Sequence, residues 1–512
     1  MLFNSYEFIF VFLPLVYAVF LLIGTGSHYR LTVSWLVGAS LFFYGWWNPK
    51  YLLLILVSIL FNFIVGRYLQ SGTRQARTFL TLGVLINLGA LAYFKYAGFM
   101  VTNLNALTDS GFSVPSVILP LAISFFTFQQ VAYLVDTYRG LTRECDFLHY
   151  CLFVTFFPQL IAGPIVHHKE MLPQFADPGT FRPRLANLSI GLSIFIVGLF
   201  KKVVIADNLA LEATPLFTAA DAGQGLDFFQ AWTAMLGYSF QLYFDFSGYC
   251  DMAIGVSRMF GITLPQNFNS PYKATSIVDF WRRWHITLSR FLRDYLYFAL
   301  GGNKKGPARR QVNLMVTMVL GGLWHGAGWT FVLWGALHGL FLVINHLWHG
   351  LWQRPLDRWW SLLLGRGLTF LAVSLAWVFF RAETLDGALL ILSALTNFPD
   401  KVGVLLGSGV ALFEPLGVGF TGGYLTPNHL IGSAWFGLLL ALVWVLPNTQ
   451  QWFIRSKPIY RTTRHISLSG LQRRLRLFIW QPQWATVAML GVMAAGSILS
   501  LSQVSEFLYF QF

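Results

Sequence analysis

Residues 311–353 run for 43 residues without Asp, Glu, Lys or Arg. A bilayer-spanning helix needs about 20 mostly apolar residues, so this run is long enough for two passes. Its glycines also allow part of it to be re-entrant. Similar runs free of those charges occur at 8–29, 31–49, 51–66, 78–94, 110–135, 147–168, 185–200, 228–244, 415–454 and 477–505. With a further apolar stretch at 367–380, they predict an all-α polytopic membrane protein of roughly 11–14 membrane segments. Only 11% of the 512 residues are charged and 56% are hydrophobic. Soluble domains carry about 25% charge. A soluble fold would lack a polar surface, and the chain is too apolar for disorder.

Charge placement gives direction. Lys and Arg number 35 against 21 Asp and Glu, a net charge of +14. The excess is spread over short loops, which argues for topology rather than nucleic-acid binding. Arg67, Arg74 and Arg77 stand without an acid in the 66–78 loop. Arg455, Lys457, Arg461, Arg464, Arg473, Arg474 and Arg476 do the same in 455–476. Both loops are expected on the cytoplasmic side. Segment 205–230, with Asp207, Glu212, Asp221 and Asp227 and no base, fits the opposite side. Both termini are then expected outside. The opening MLFNSYEF has no basic n-region or small-residue cleavage site, so the first run reads as a retained helix. Cys145, Cys151 and Cys250 suggest neither a disulfide framework nor a zinc site. There is no 20–50-residue repeat and no long linker, so residues 1–512 read as one membrane domain.

Ionisable side chains in a bilayer are costly and point to function. Asp245 ends an uncharged run, with Tyr249 one helical turn on, within reach of a hydrogen bond, and Asp251 beyond. A helix end at the interface explains these equally well. Residues 279–295 read as a helix with His285, Ser289 and Arg293 on one face and Arg282 near it. Lipid-facing amphipathicity explains its arginines and tryptophans but not the histidine. The 311–353 run holds His325, His338, His346 and His349. Gly321, Gly322, Gly326 and Gly328 surround His325, implying close helix approach or a broken helix. A histidine bonded only to a neighbouring helix is the plainer reading. On one continuous helix His338 and His349 share a face, whereas His325 and His338 do not. Interfacial placement accounts for His346 and His349. No HExxH, GxSxG or P-loop occurs, and the histidines lack a carboxylate at ligand spacing, so no metal is expected.

Several segments stand out in order: Pro120-Leu121-Ala122-Ile123-Ser124-Phe125-Phe126-Thr127-Phe128-Gln129, Phe156-Phe157-Pro158-Gln159-Leu160-Ile161-Ala162-Gly163-Pro164, and YFDFSGYCDMAIG at 243–255. They continue as LPQNFNSPYKATSIVDFWRRWHITLSRFLRDYLY at 264–297, Gly301-Gly302-Asn303, and GGLWHGAGWTFVLWGALHG at 321–339. Together they resemble the membrane-bound O-acyltransferase family, in its bacterial branch acting on alginate and other surface polymers. The similarity is dense from about 120 to 349. Ala122 stands where some members have Gly, and His167 and His168 follow GPI where a basic or tyrosine residue is usual.

The resemblance implies a ring of membrane helices around a tunnel joining a cytoplasmic donor side to an external acceptor side. The family's invariant histidine falls on His325 and its second functional histidine on His285. A neutral imidazole can serve as base at pH 7, so His325 is expected to deprotonate the acceptor. His285 is expected to orient the acyl group or polarise its carbonyl. Arg282, Arg283 and Arg290 are candidates for the phosphates of a donor such as acetyl-CoA or another acyl thioester. Ser289, Asp245, Tyr249, Trp324, Asn267 and His338 complete the candidate donor-binding or tunnel residues. No bound cofactor is expected. A separate periplasmic acetyltransferase is the implied partner, finishing transfer to a polysaccharide such as alginate at the bacterial inner membrane. The alternative is a transporter in which Asp245, His285 and His325 relay protons, though no paired halves are visible. A scaffold for a polymer export complex is a third reading.

Overall fold

The computed structural model describes residues 1–24, 28–72, 74–113, 117–142, 146–351, 358–399, 420–421, 427–460 and 479–502. Its main helices are α1 (Glu7–Gly24), α2 (Tyr29–Gly45), α3 (Lys50–Gln70) and α4 (Ala76–Thr108). Then come α5 (Ile123–Tyr138), α6 (Phe147–Thr155), α7 (His168–Ala176), α8 (Leu185–Asp221) and α9 (Phe228–Met259). The short α10 (Ile277–Trp281) and α11 (Ile286–Phe291) lead to α12 (Gly306–His325), α13 (Trp329–Leu351) and α14 (Trp359–Arg381). The described part closes with α15 (Leu385–Ala394), α16 (Pro427–Val445) and α17 (Trp484–Ser500). Among the described residues the one extended pairing joins Phe398–Pro399 to Phe420–Thr421.

Among the described residues six helices are long and apolar enough to cross a membrane: α1, α3, α4, α8, α13 and α14. Large apolar side chains face outward on them, Leu22, Leu53 and Leu107 being mostly exposed. That surface suits lipid. The 311–353 run divides into α12 and α13, as its length required. Elsewhere the runs and helices differ for local reasons. Among the described residues of run 110–135 the first helical one is Ile123, after Pro120 and a left-handed Ala122 (φ 61°). Run 147–168 breaks at Phe156, whose ψ of 109° is not helical. Run 185–200 does not stop at its two lysines but continues through a π-helical turn, Lys201–Ala206, to Asp221. Asp207, Glu212 and Asp221 therefore lie on a helix, not in a loop. The basic residues at 461–476, Cys145 and the last ten residues lie outside the described set.

Glycine lets α8 and α9 approach backbone to backbone. A Cβ on Gly191 would stand 2.5 Å from the Gly255 carbonyl oxygen, and one on Gly198 2.6 Å from that of Gly248. Small residues at such crossings replace the hydrophobic drive that lipid removes. The π turn in α8 aims two lysines at α9. Lys201 meets Asp251 at 2.7 Å, and Lys202 meets Asp207 and Asp245 at 2.6 Å each. Asp251 also accepts from Thr449 Oγ1 (2.6 Å) and Gln450 Nε2 (2.7 Å), tying in the segment after α16.

Two large apolar cores result. One gathers Phe3, Phe8, Phe43, Phe157 and their neighbours from the N-terminal helices. The other surrounds Tyr238, Phe240, Trp334 and Trp377. A smaller cluster of Phe125, Leu288, Phe291 and Trp324 includes the side chain next to His325.

Candidate active site

His285 sits at a break in what the sequence suggests is one helix. Helix α10 ends at Trp281, α11 begins at Ile286, and His285 caps it in the left-handed region (φ 41°, ψ 53°). His285, Ser289 and Arg293 therefore do not share one helical face. Arg293 lies in the π turn that follows and pairs with Asp294 at 2.7 Å. A non-glycine residue held at positive φ stores strain, and such positions cluster at functional sites.

Hydrogen bonds fix which ring nitrogen of His285 carries the proton. Asn267 Oδ1 lies 3.1 Å from His285 Nδ1 and accepts from the Thr287 backbone N–H at 3.2 Å and the Thr287 hydroxyl at 2.9 Å. A backbone N–H only donates, so this Asn267 atom is the oxygen. His285 Nδ1 must then carry the hydrogen. The Thr287 hydroxyl in turn accepts from the Ile165 N–H at 3.0 Å, bringing in the GPI segment. His285 Nε2 is left with its lone pair. It is buried and has no hydrogen-bond partner among the described residues.

His325 is the last residue of α12, and the chain turns at Gly326 into α13. The turn is tight. A Cβ on Gly322 would collide with the Phe331 carbonyl, and one on Gly335 with that of Met318. The break also brings together two histidines that one continuous helix would keep apart. His325 and His338 both pack on Trp334, with ring centroids 5.2 and 4.8 Å away. The rings of His325 and His285 are 6.5 Å apart between centroids. His338 is enclosed by Phe280, Trp281, Trp334 and Trp377, and neither of its ring nitrogens has a hydrogen-bond partner among the described residues. His349 is exposed at the end of α13, while His346 Nδ1 lies 2.7 Å from the Leu342 carbonyl oxygen.

His325 lines a cavity whose lining does not include His285. The cavity, of about 340 Å³, is also lined by Trp324, Lys95, Trp47, Ser124 and the 118–123 segment. Its wall shows a residue that the sequence reading missed. A π turn in α4, Ala92–Tyr96, carries Lys95 and Tyr96 to the end of α12. Lys95 Nζ donates to the Trp324 carbonyl at 2.5 Å and the His325 carbonyl at 3.0 Å. Tyr96 donates to the Leu323 carbonyl at 2.7 Å. A cation at a helix C-terminus satisfies carbonyls that have no partner in the helix and complements the dipole. Lys95 also sits 5.9 Å from the Trp324 ring centre.

The remaining candidates divide. Arg282 is exposed. Arg283 is held by Asp279 at 2.9 Å and the Asn269 carbonyl at 3.3 Å. Arg290 pairs with Glu170 at 2.9 Å. Ser289 donates to the Trp284 carbonyl at 3.4 Å. Asp245 is bound by Lys202, and the Tyr249 ring stacks on Phe3 with centroids 4.8 Å apart. Neither lines the His325 cavity. Trp324 stacks on Phe128 and meets Phe125 edge-on.

Residues 78–364 match the model of the membrane-bound O-acyltransferase family. A peptidoglycan O-acetyltransferase from Helicobacter pylori is 48% identical over 425 residues, covering 78% of this chain and 80% of that one. A "Probable alginate O-acetylase AlgI" from Azotobacter vinelandii is 42% identical over 412 residues, 78% of this chain and 79% of the relative. A teichoic acid D-alanyltransferase from Streptococcus thermophilus is 30% identical over 281 residues, 51% of this chain and 68% of the relative.

Proposed function

Because the chain belongs to the membrane-bound O-acyltransferase family, we propose that it moves acetyl groups from a cytoplasmic thioester such as acetyl-CoA toward hydroxyls of a cell-envelope polysaccharide. It is a multi-pass membrane protein, and the relatives above that are more than 40% identical are named an O-acetyltransferase and an O-acetylase. The observation that carries the reading is His325, facing His285 at the floor of a cavity whose wall holds Lys95.

In the proposed chemistry an acceptor hydroxyl enters the cavity and gives its proton to His325 as its oxygen attacks the thioester carbonyl. The tetrahedral oxyanion collapses, the C–S bond breaks, and the departing thiolate takes the proton back from His325. Lys95 is the nearby charge of the right sign for the oxyanion. His285 with its proton on Nδ1 offers Nε2 as an acceptor only. That favours orienting a donor group, the acceptor hydroxyl or the His325 N–H, over polarising a carbonyl. Arg282, exposed, suits the donor phosphates better than Arg283 or Arg290, which already hold carboxylates.

Charge placement supports an outward-facing cavity. Trp47, just before α3, lines the cavity, whereas the far end of α3 leads to the basic 66–78 loop. With that loop cytoplasmic, the cavity lies toward the outer side, where a polymer or a periplasmic acetyltransferase would collect the acetyl group. The proton-relay transporter is the weaker reading, because Lys202 engages its carboxylate, Asp245, in a buried pair.

The test is His325→Ala in the native host, scoring ester-linked acetate on peptidoglycan and exopolysaccharide separately, with membrane abundance checked by immunoblot. Loss of acetate from one polymer at normal abundance supports the proposal and names the acceptor. Unchanged acetate on both polymers sinks it.

A further inference from the structure

The His325 cavity does not use a second cluster of ionisable groups. Asp136 is near the end of α5, about 18 Å along the helix from the cavity residue Ser124. His167 and His168 follow the GPI segment and open α7. One carboxylate oxygen of Asp136 and one ring nitrogen from each histidine all lie within 4.8 Å of one another. His168 Nε2 is 3.7 Å from Asp136 Oδ2. In a tetrahedral zinc site with bonds of about 2.0–2.1 Å, neighbouring ligand atoms are about 3.4 Å apart. The observed ligand atoms are up to about 1.4 Å farther apart than in that geometry.

Two features set this cluster apart from an ordinary polar contact. His168 is 2% exposed, and neither of its ring nitrogens has a hydrogen-bond partner among the described residues. A buried imidazole with both nitrogens unpaired is costly unless something else occupies one of them. Asp136 is also buried, and among the described residues its second oxygen has only Arg139, at 3.9 Å. The Tyr295 hydroxyl donates to Asp136 Oδ2 at 2.8 Å and lies 3.4 Å from His167 Nδ1. It has the position of an outer partner that orients metal ligands. Beside the cluster Glu170 pairs with Arg290 at 2.9 Å and accepts from the His167 backbone N–H at 3.3 Å, so its carboxylate belongs to the cap of α7 rather than to the cluster.

We propose that Asp136, His167 and His168 form a divalent transition-metal site suited to zinc. Two imidazoles and one carboxylate are a borderline donor set that favours zinc over the hard cations magnesium and calcium. Three protein ligands leave one position for water. The ion would pin the end of α5 to the start of α7 and, through Tyr295, to the π turn Leu292–Tyr297. His167 is only partly buried and provides the way in. The spacing Asp136 … His167-His168 matches no zinc motif, so only the fold brings these ligands together.

The experiment uses the full chain, purified in detergent through a tag without histidine, stripped with a chelator and reloaded with Zn²⁺ or Co²⁺. Retention of about one equivalent of zinc through gel filtration, with the visible absorption of four-coordinate cobalt, is the expected result. Asp136→Asn and His168→Gln should each weaken zinc binding by about tenfold or more, as should the milder His167→Gln, whose elution profile should match wild type. His349→Ala, at the exposed end of α13, should bind as wild type does. Failure of wild type to retain zinc overturns the proposal without any variant. So does zinc retention that survives His167→Gln and His168→Gln.

Discussion

Lys95→Met tests a feature of the candidate site that no motif announces. Methionine keeps much of the length and volume of lysine but cannot donate. Two carbonyls at the end of α12, on Trp324 and His325, then lose a charged donor now 2.5 and 3.0 Å away. Hydrogen bonds to charged groups contribute about 1.5–3 kcal/mol each, and a cation near a helix C-terminus adds about 0.3–1 kcal/mol. Against this, removing a buried cation relieves a desolvation cost of several kcal/mol. The opposing terms nearly cancel, so the protein should still fold, and Tyr96 continues to hold the Leu323 carbonyl. Catalysis has no such compensation. His325 is the terminal residue of α12, and a shift of about 1 Å at a reacting group costs about 10²-fold. Loss of a charge facing the oxyanion costs about 10²–10³-fold. Acetyl transfer should fall by at least about 10²-fold at unchanged membrane abundance. The assay is transfer of radiolabelled acetate from acetyl-CoA to polymer in membrane vesicles, with a fluorescence size-exclusion profile of the same variant. A rate within about threefold of wild type, with a normal profile, would refute the idea that Lys95 positions His325 or steadies the oxyanion.

Other substitutions test the remaining parts. Asn267→Leu removes the acceptor that fixes the His285 proton, and transfer should fall by about tenfold to 10³-fold, as losses of orienting partners do; vesicle assays with an abundance control read this. Gly322→Ala drives a methyl into the Phe331 carbonyl, so the α12–α13 turn should fail and the monodisperse peak should be lost in detergent. Lys202→Met leaves Asp207 and Asp245 facing each other without their cation, a loss of about 3–5 kcal/mol for a broken buried pair, visible as a lower melting temperature. Arg282→Gln should raise the apparent KM for acetyl-CoA several-fold with kcat little changed, whereas Arg290→Gln should lower thermal stability instead, because it releases Glu170.

What was legible in the sequence follows from what a linear pattern can encode. His325 and His285 stood out as candidates because each lies in a dense local motif, and the glycines around His325 pointed to close helix approach or a break, of which the α12–α13 turn is the second. The same reasoning hid Lys95 from the end of α12, and Lys202 from Asp245. Runs defined by the absence of charge end at a charge, so the runs stopped at 94, 200 and 244, just before these residues. A lysine inside a membrane helix thus read as its boundary. The helices do not stop there. Two of the three residues lie on π turns, Ala92–Tyr96 and Lys201–Ala206, and the third lies mid-helix in α9. One extra residue per turn re-aims the side chains that follow, and such turns concentrate at functional positions. Each buried charge then has a partner distant in the chain: Lys95 caps a helix more than two hundred residues on, and Lys202 reaches across to α9. Helical periodicity relates residues three or four apart and carries no information about such pairs. The break at His285 is a related case. The 279–295 segment has helix-like spacing throughout, but Asn267 and Thr287 hold the histidine outside the helix, and Asn267 lies on a preceding loop. For a membrane chain, an isolated lysine or aspartate at the edge of an apolar run is better treated as a member of the run until a partner has been sought for it.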